Sequence, residues 1–96
     1  MNRADLRVFI GVGLLVLIAG CAPGYDATLE ACNGLIDENP NLNIDKNSAR
    51  DFGTNDGNRI IVYDAMLLGN KVQRICVSDG SRVQFPSVLT QSQYLN

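Results

Sequence analysis

The residues of this chain best suited to covalent chemistry are its three cysteines, Cys21, Cys32 and Cys76. The 96 residues include no histidine, which is the commonest general base and the usual partner of a serine or cysteine nucleophile. This composition argues against a hydrolase, and we predict no catalytic residues and no enzymatic activity. The chemistry left to the thiols is acylation, cross-linking or metal binding.

The first cysteine, Cys21, follows a segment patterned as an export signal. A short, net basic start over residues 1–7 precedes an apolar run over residues 8–18 and then the small residues Ala19 and Gly20. The apolar run is much shorter than the roughly 20 residues that a helix needs to cross the hydrocarbon core of a bilayer. We therefore predict that residues 1–20 are a cleaved signal peptide.

The four residues Ile18-Ala19-Gly20-Cys21 resemble the lipobox of bacterial lipoproteins, in which an apolar residue and two small ones precede a cysteine. The resemblance implies cleavage between Gly20 and Cys21, a diacylglycerol on the Cys21 sulfur, and an acylated new amino end. Each buried methylene adds about 0.8 kcal/mol, so two or three acyl chains anchor a protein stably. Ala22 stands where an aspartate commonly retains Gram-negative lipoproteins in the inner membrane, which implies the periplasmic face of the outer membrane in a Gram-negative host.

The alternative interpretation is an ordinary secretory signal cleaved after Ala22, with Cys21 as an incidental thiol. A cysteine directly after an Ala-Gly pair, at the end of such an apolar run, favours the lipobox. We therefore expect attachment to a membrane of the bacterial envelope through the lipid on Cys21. Residues 21–25 are the lipidated cysteine and a tether, and residues 22–25 reach about 14 Å at most, which keeps the domain close to the headgroups.

Lipidation of Cys21 leaves Cys32 and Cys76 as a pair in an oxidising compartment, and we predict a disulfide between them. Cleavage leaves 76 of the 96 residues, a length at which a single apolar core is barely sufficient. Closing the loop between these cysteines is worth about 4 kcal/mol by chain entropy. The alternatives are two buried free thiols or a metal pair. Without histidine a zinc site would need carboxylates, which structural zinc sites rarely use, so we expect no metal and no cofactor.

The charge balance bears on the partners. After cleavage the chain carries 6 Lys and Arg against 9 Asp and Glu, a net charge of about −3. A nucleic-acid-binding protein needs a basic surface to neutralise phosphates. We therefore expect no nucleic-acid partner, and we infer no small-molecule substrate.

The element that must carry Cys32 is a helix. Asp26 can cap a helix over residues 27–38, which ends at the Asn-Pro pair that follows because proline disfavours the helical conformation in the residue before it. Within it, Cys32 shares a narrow apolar stripe with Leu29 and Ile36.

The element that must carry Cys76 is an antiparallel meander. Its predicted strands cover residues 59–66, 71–77 and 82–85, with turns at residues 68–70 and 79–81. Residues 42–44 and 49–52 are weaker strand candidates, and residues 54–58 are predicted as a turn.

In the predicted strand over residues 71–77, successive side chains point to opposite faces of the sheet. Val72 and Cys76 share the side that faces the helix, whereas Ile75 and Val77 point the other way. This arrangement predicts either a second covered face or an apolar surface available to a partner. Residues 87–96 are predicted to be a loosely attached polar tail, in which Val88-Leu89 could add a short edge strand.

The predicted fold class is α+β: one N-terminal helix packed on an antiparallel β-meander of three to four strands and bridged by one disulfide. The predicted organisation is a signal peptide (1–20), the lipidated cysteine and tether (21–25), a mini-domain (26–86) and a tail (87–96). The mature part also resembles small exported bacterial domains of unknown function, which share a cysteine-bearing helix before a meander with the second cysteine. The residues that carry this resemblance are Glu30-Ala31-Cys32, Asn39-Pro40, Tyr63-Asp64-Ala65, Gly69 and Cys76.

These features predict a lipid-anchored envelope protein with a non-catalytic binding or structural role near the membrane surface. Its expected partner is another protein of the envelope. The alternative function is that of an inhibitor or exclusion lipoprotein, which blocks a membrane receptor or enzyme.

Overall fold

The computed structural model describes residues 22–95, in which one α-helix packs against a four-stranded antiparallel sheet. The strands lie side by side in the order β1-β2-β3-β4, so that each pairs with the next along the chain. This confirms the predicted α+β fold with a meander of three to four strands. The elements are α1 (Tyr25–Glu38), β1 (Arg50–Asn55), β2 (Asn58–Leu67), β3 (Asn70–Ser78) and β4 (Val83–Gln84).

Helix α1 begins at Tyr25, two residues earlier than predicted, and its N-cap residue is Gly24 in an extended conformation. The predicted capping role of Asp26 was wrong, because this residue lies inside the first turn and makes no side-chain cap. Its negative charge is nevertheless favourable there, next to the positive end of the helix dipole. The helix ends as predicted before Pro40, and the side-chain amide of Asn39 donates to the last turn, at the Leu35 carbonyl oxygen, at 2.9 Å.

The main core lies between α1 and one face of the sheet, here called the helix-covered face. Ile61 and Tyr63 of β2 are fully buried there, beneath Cys32 and Ile36 of the helix. The ring of Tyr63 also packs against Phe85, with the ring centroids 5.7 Å apart. Burying side chains of this size contributes about 1.5–3 kcal/mol each, so these few contacts account for much of the attachment of α1.

A disulfide between Cys32 and Cys76 crosses the same core, as predicted. The sulfur atoms are 2.07 Å apart and the α-carbons 6.2 Å apart. Cys76 lies opposite Ile61 in the register of β2 and β3, which places it directly under the helix. The bond therefore joins the middle of α1 to the middle of the sheet.

The opposite face of the sheet, here called the second face, is also covered. Ile75 and Val77 are buried on it, together with Ile60 and Val62 of β2, and Tyr94 packs against this cluster. Of the two outcomes predicted for Ile75 and Val77, a second covered face is confirmed.

The C-terminal segment covers this face, and the prediction of a loosely attached tail was wrong. The side-chain amide of Gln91 accepts a hydrogen bond from the Ile75 N–H at 3.2 Å and donates one to the Gln73 carbonyl at 2.8 Å. Strand β4 pairs with β3 only at residues 77 and 78, so this amide stands where a neighbouring strand would otherwise bond. Residues 88–90 form a turn, so Val88-Leu89 adds no edge strand.

The polar stretch before β1 forms less strand than predicted. Residues 40–42 are a short 3-10 helix, and Ile44 makes only a single bridge to Ala65 of β2. Strand β1 extends three residues beyond the predicted 49–52, and a bulge between Asp51 and Gly53 leaves Phe52 largely exposed. A bulge adds an unpaired residue to a strand, which is why the alternation of this stretch was hard to recognise.

The disulfide yields a prediction about stability. Replacing both cysteines, Cys32→Ala with Cys76→Ala, should lower the free energy of unfolding by about 4 kcal/mol, because the unfolded chain regains the freedom of the opened loop. Urea denaturation followed by circular dichroism measures the difference, and reduction of the wild-type protein serves as the control. A double variant as stable as the oxidised wild type would contradict the role assigned to the bond.

Candidate functional site

Two hairpins in this sheet are closed by turns of the same type. Asp56 and Gly57 join β1 to β2, and Leu68 and Gly69 join β2 to β3, with the flanking residues paired across each turn. The φ angles are 53° and 80° in the first turn and 52° and 82° in the second. Two central residues with positive φ define a type I′ turn, for which Asn-Gly and Asp-Gly are the preferred sequences.

The second turn breaks this preference at Leu68. A left-handed backbone brings the β-carbon of an ordinary residue close to the following carbonyl, at a cost of about 1–2 kcal/mol, and only glycine, asparagine and aspartate adopt it readily. Asp56 fits the first turn for this reason. Leu68 does not fit, and its side chain is 92 % exposed, so it gains nothing from burial. The fold therefore does not require a leucine at this position.

Leu68 follows two other exposed apolar residues at the end of the β2–β3 hairpin. Met66 and Leu67 precede it and are 43 % and 42 % exposed. We call residues 66–68 the hairpin end. The backbone that carries them is paired on both sides of the turn, from Ala65 opposite Val72 to Leu67 opposite Asn70, which holds these residues in place at the end of the sheet.

A groove of about 540 Å³ lies beside Met66. It is lined by residues 64–66 of β2, residues 71–73 of β3 and two residues of the segment before β1. The Asp64 carboxylate on its wall lies 3.1 Å from the guanidinium of Arg50, and both side chains are largely exposed. Exposed apolar side chains at residues 66–68 therefore lie next to a largely polar groove, and protein-binding surfaces combine apolar and polar groups in this way. The residues that line the groove are Asn43, Asp45, Asp64, Ala65, Met66, Lys71, Val72 and Gln73.

The residues singled out by the sequence lie elsewhere. Gly20 and Cys21 are outside the described residues, so cleavage and lipidation stay predictions. Cys32 and Cys76 are brought together and are bonded to each other, which removes both thiols from any nucleophilic role. Sequence reasoning identified Leu68 only as part of a turn. The signal that could have revealed it was a leucine immediately before glycine in a two-residue loop, where asparagine or aspartate is expected.

Within the part of the chain that the structure describes, two ionisable side chains have clearly shifted pKa values, and both have structural explanations. Burial raises the pKa of Tyr63 to about 12, with a smaller contribution from Tyr25, and its hydroxyl donates to the Asn33 side chain at 2.8 Å. Hydrogen bonds lower the pKa of Asp79 to about 2: its carboxylate accepts from the backbone N–H and the hydroxyl of Ser81 and from the N–H of Arg82. The first group anchors α1 to β2, and the second holds the β3–β4 turn.

Residues 22–95 include no helix long and apolar enough to cross a membrane. In that same part of the chain, no group of three or more His, Cys, Asp or Glu side chains is arranged to hold a metal ion. Comparison with known proteins gave no match to any family model, curated protein or solved structure. The hairpin end and its groove are thus assigned from the geometry of this chain.

The two matched turns allow a direct stability test. Leu68→Asn should raise the free energy of unfolding by about 1 kcal/mol, because asparagine tolerates the left-handed backbone. Asp56→Leu should lower it by a similar amount in the other turn, which is the matched control. Both are measured by urea denaturation. A loss of stability in Leu68→Asn would show that the leucine packs within the fold and is not free for a partner.

The buried Tyr63 hydroxyl predicts how stability depends on alkaline pH. A raised pKa means that the folded state holds the proton more tightly than the unfolded chain, in which tyrosine ionises near pH 10. This contribution is fully present below pH 10 and is lost as the pH rises through about 12. The wild-type protein should therefore lose on the order of 2 kcal/mol of unfolding free energy over this interval.

The variant Tyr63→Phe lacks the ionising group and should lose much less over the same interval, although at neutral pH it is less stable by about 1 kcal/mol for the missing hydrogen bond to Asn33. Tyr94→Phe is the control and should keep the wild-type slope. An unchanged slope in Tyr63→Phe would contradict the assignment.

Proposed function

We propose that this protein is a non-catalytic binding protein of the bacterial envelope, anchored by lipid on Cys21, that engages a partner protein through the hairpin end at residues 66–68. The observation that carries the proposal is Leu68, which combines a backbone conformation unfavourable for leucine with a side chain that is 92 % exposed. Strain that the fold does not require is typical of functional positions.

Support for the anchor comes from the sequence alone. The lipobox resemblance of residues 18–21 implies acylation, and Ala22 implies the periplasmic face of the outer membrane if the host is Gram-negative. The first residue of α1 is Tyr25, so little chain separates the predicted lipid from the folded part. A partner would therefore have to lie within reach of the membrane surface.

The hairpin end specifies the kind of surface that a partner must offer. A leucine that protrudes from a paired hairpin fits an apolar pocket, and its full burial contributes about 1.5–3 kcal/mol. The flanking charges, Lys71 and Asp64, call for a polar rim of mixed sign around that pocket. We therefore propose a folded protein with a small apolar pocket as the partner.

Three apolar side chains give only modest affinity in solution. Confinement of both proteins to one membrane raises their effective concentration, so that a modest contact is sufficient to form a complex. This couples the two parts of the proposal, because loss of the lipid is expected to weaken the contact without altering the surface. An inhibitor or exclusion lipoprotein would use the same surface, and the identity of the partner distinguishes this alternative.

A photo-reactive amino acid placed at position 68 tests the contact in intact cells. Leu89 provides a matched control, because its side chain is 90 % exposed and lies outside the hairpin end. We expect one reproducible protein adduct from position 68 and none from position 89. Co-expressed wild-type protein should compete with the adduct, whereas the Leu68→Asn variant should not.

The adduct is identified by mass spectrometry. An accessory role predicts a structural protein of the envelope, whereas the inhibitor alternative predicts a receptor or an enzyme. Equal labelling from positions 68 and 89, or no adduct from position 68, would contradict the proposed binding surface.

A further inference from the structure

The start of the described chain is held against the sheet by one arginine. The Nε of Arg59 donates to the carbonyl oxygen of Pro23 at 3.0 Å, and its Nη1 donates to both carboxylate oxygens of Asp51 at 3.0 and 3.1 Å. The Arg59 side chain is only 21 % exposed. This single guanidinium therefore joins the chain before α1 to β1 and β2.

The contact lies at one end of the sheet, far from the hairpin end. Arg59 is the second residue of β2, and Leu67 is the last residue of that strand. At about 3.3 Å per residue the two α-carbons are about 26 Å apart, which puts Leu68 about 30 Å from the arginine contact. The β1–β2 and β3–β4 turns lie at the same end as Arg59, since Arg59 pairs with Ser78 and Asn58 with Asn55.

We propose that the Arg59 contact orients the folded part on the membrane, with the β1–β2 and β3–β4 turns against the lipid headgroups and the hairpin end directed away from them. Only Ala22 separates Pro23 from Cys21, so their α-carbons are at most about 8 Å apart. The orientation rests on the proposed lipid anchor at Cys21 and deepens that proposal. The end of the sheet that carries the β1–β2 and β3–β4 turns is here called the turn end. In this orientation the turn end contacts the lipid headgroups, and the partner's pocket lies on the side of the domain away from the membrane.

Charge alone would not produce this orientation. The exposed side of α1 carries four carboxylates and the helix contains no lysine or arginine, so anionic headgroups repel that side. The turn end also carries more carboxylates than guanidinium groups, among them Asp56 and Asp79 against Arg82. Attraction to anionic lipid therefore does not favour this orientation, and we assign the orientation to the contact between Arg59 and Pro23. The four helix carboxylates are Asp26, Glu30, Asp37 and Glu38.

Tryptophan fluorescence can measure the orientation, because the chain contains no tryptophan of its own. Thr54→Trp labels an exposed strand position beside the β1–β2 turn, and Leu67→Trp labels the hairpin end. Each lipidated full-length protein is reconstituted into phosphatidylcholine vesicles that carry dansyl-phosphatidylethanolamine as the energy acceptor. We expect several-fold stronger transfer from position 54 than from position 67, with the same ratio when phosphatidylglycerol is added.

The Arg59→Ala variant of each labelled protein should bring the two transfer efficiencies close together. Without the hydrogen bond from Arg59 to Pro23, the domain can rotate relative to its lipid anchor. Arg82→Ala is the control, since it removes an exposed arginine at the same end of the sheet and leaves the contact between Arg59 and Pro23 intact. It should keep the wild-type ratio of the two transfer efficiencies. Circular dichroism and the intact disulfide verify folding of each variant. Equal transfer from both positions in the otherwise unchanged protein would overturn the orientation, even if Arg59→Ala fails to fold.

Flotation of the vesicles separates this inference from the proposed anchor. A protein that does not float with the vesicles contradicts the lipid on Cys21, and the orientation falls with it. A protein that floats but transfers energy equally from positions 54 and 67 keeps its anchor and contradicts the orientation alone.

Discussion

The structure depends on the cross-link between Cys32 and Cys76, because the helix it fastens is weak on its own. Helix α1 has no side-chain N-cap, contains Gly34 in its interior and ends with acidic residues where positive charge would be favourable. Its few buried side chains must hold it over the sheet in a domain too small for a large core. The disulfide fixes the helix at its middle, and the hydrogen bond from Tyr63 to Asn33 aligns it beside that bond.

A sheet fastened in this way can be apolar on both faces. The helix covers one face, and the C-terminal segment covers the other with Tyr94 and the side-chain amide of Gln91. Strand β2 lies between β1 and β3, is buried over residues 60–63 and stays paired with β3 as far as Leu67. This pairing supports the residues at the end of the β2–β3 hairpin. An exposed leucine on a mobile loop would lose more conformational entropy when it binds than one on a paired hairpin.

The sequence predicted the fold well where the pattern was local and strong. The strand over residues 58–67 is rich in β-branched residues, and the turns around Gly69 and Gly80 are marked by glycine, so the meander was recognisable. The cover provided by the C-terminal segment was not, because Gln91 and Tyr94 act through single side chains that create no periodicity. The hairpin end was missed for a related reason: Leu68 is unusual only once its positive φ is known.

The proposed function requires that the disulfide-linked domain be held on a membrane by lipid on Cys21. Intact-mass spectrometry of the protein purified from bacterial membranes, before and after reduction, tests it most directly. We expect a chain that begins at Cys21, carries diacylglycerol and a further acyl group, and gains the two thiol hydrogens of Cys32 and Cys76 only on reduction. A chain that retains residues 1–20 with an unmodified Cys21, or whose mass does not change on reduction, would contradict it.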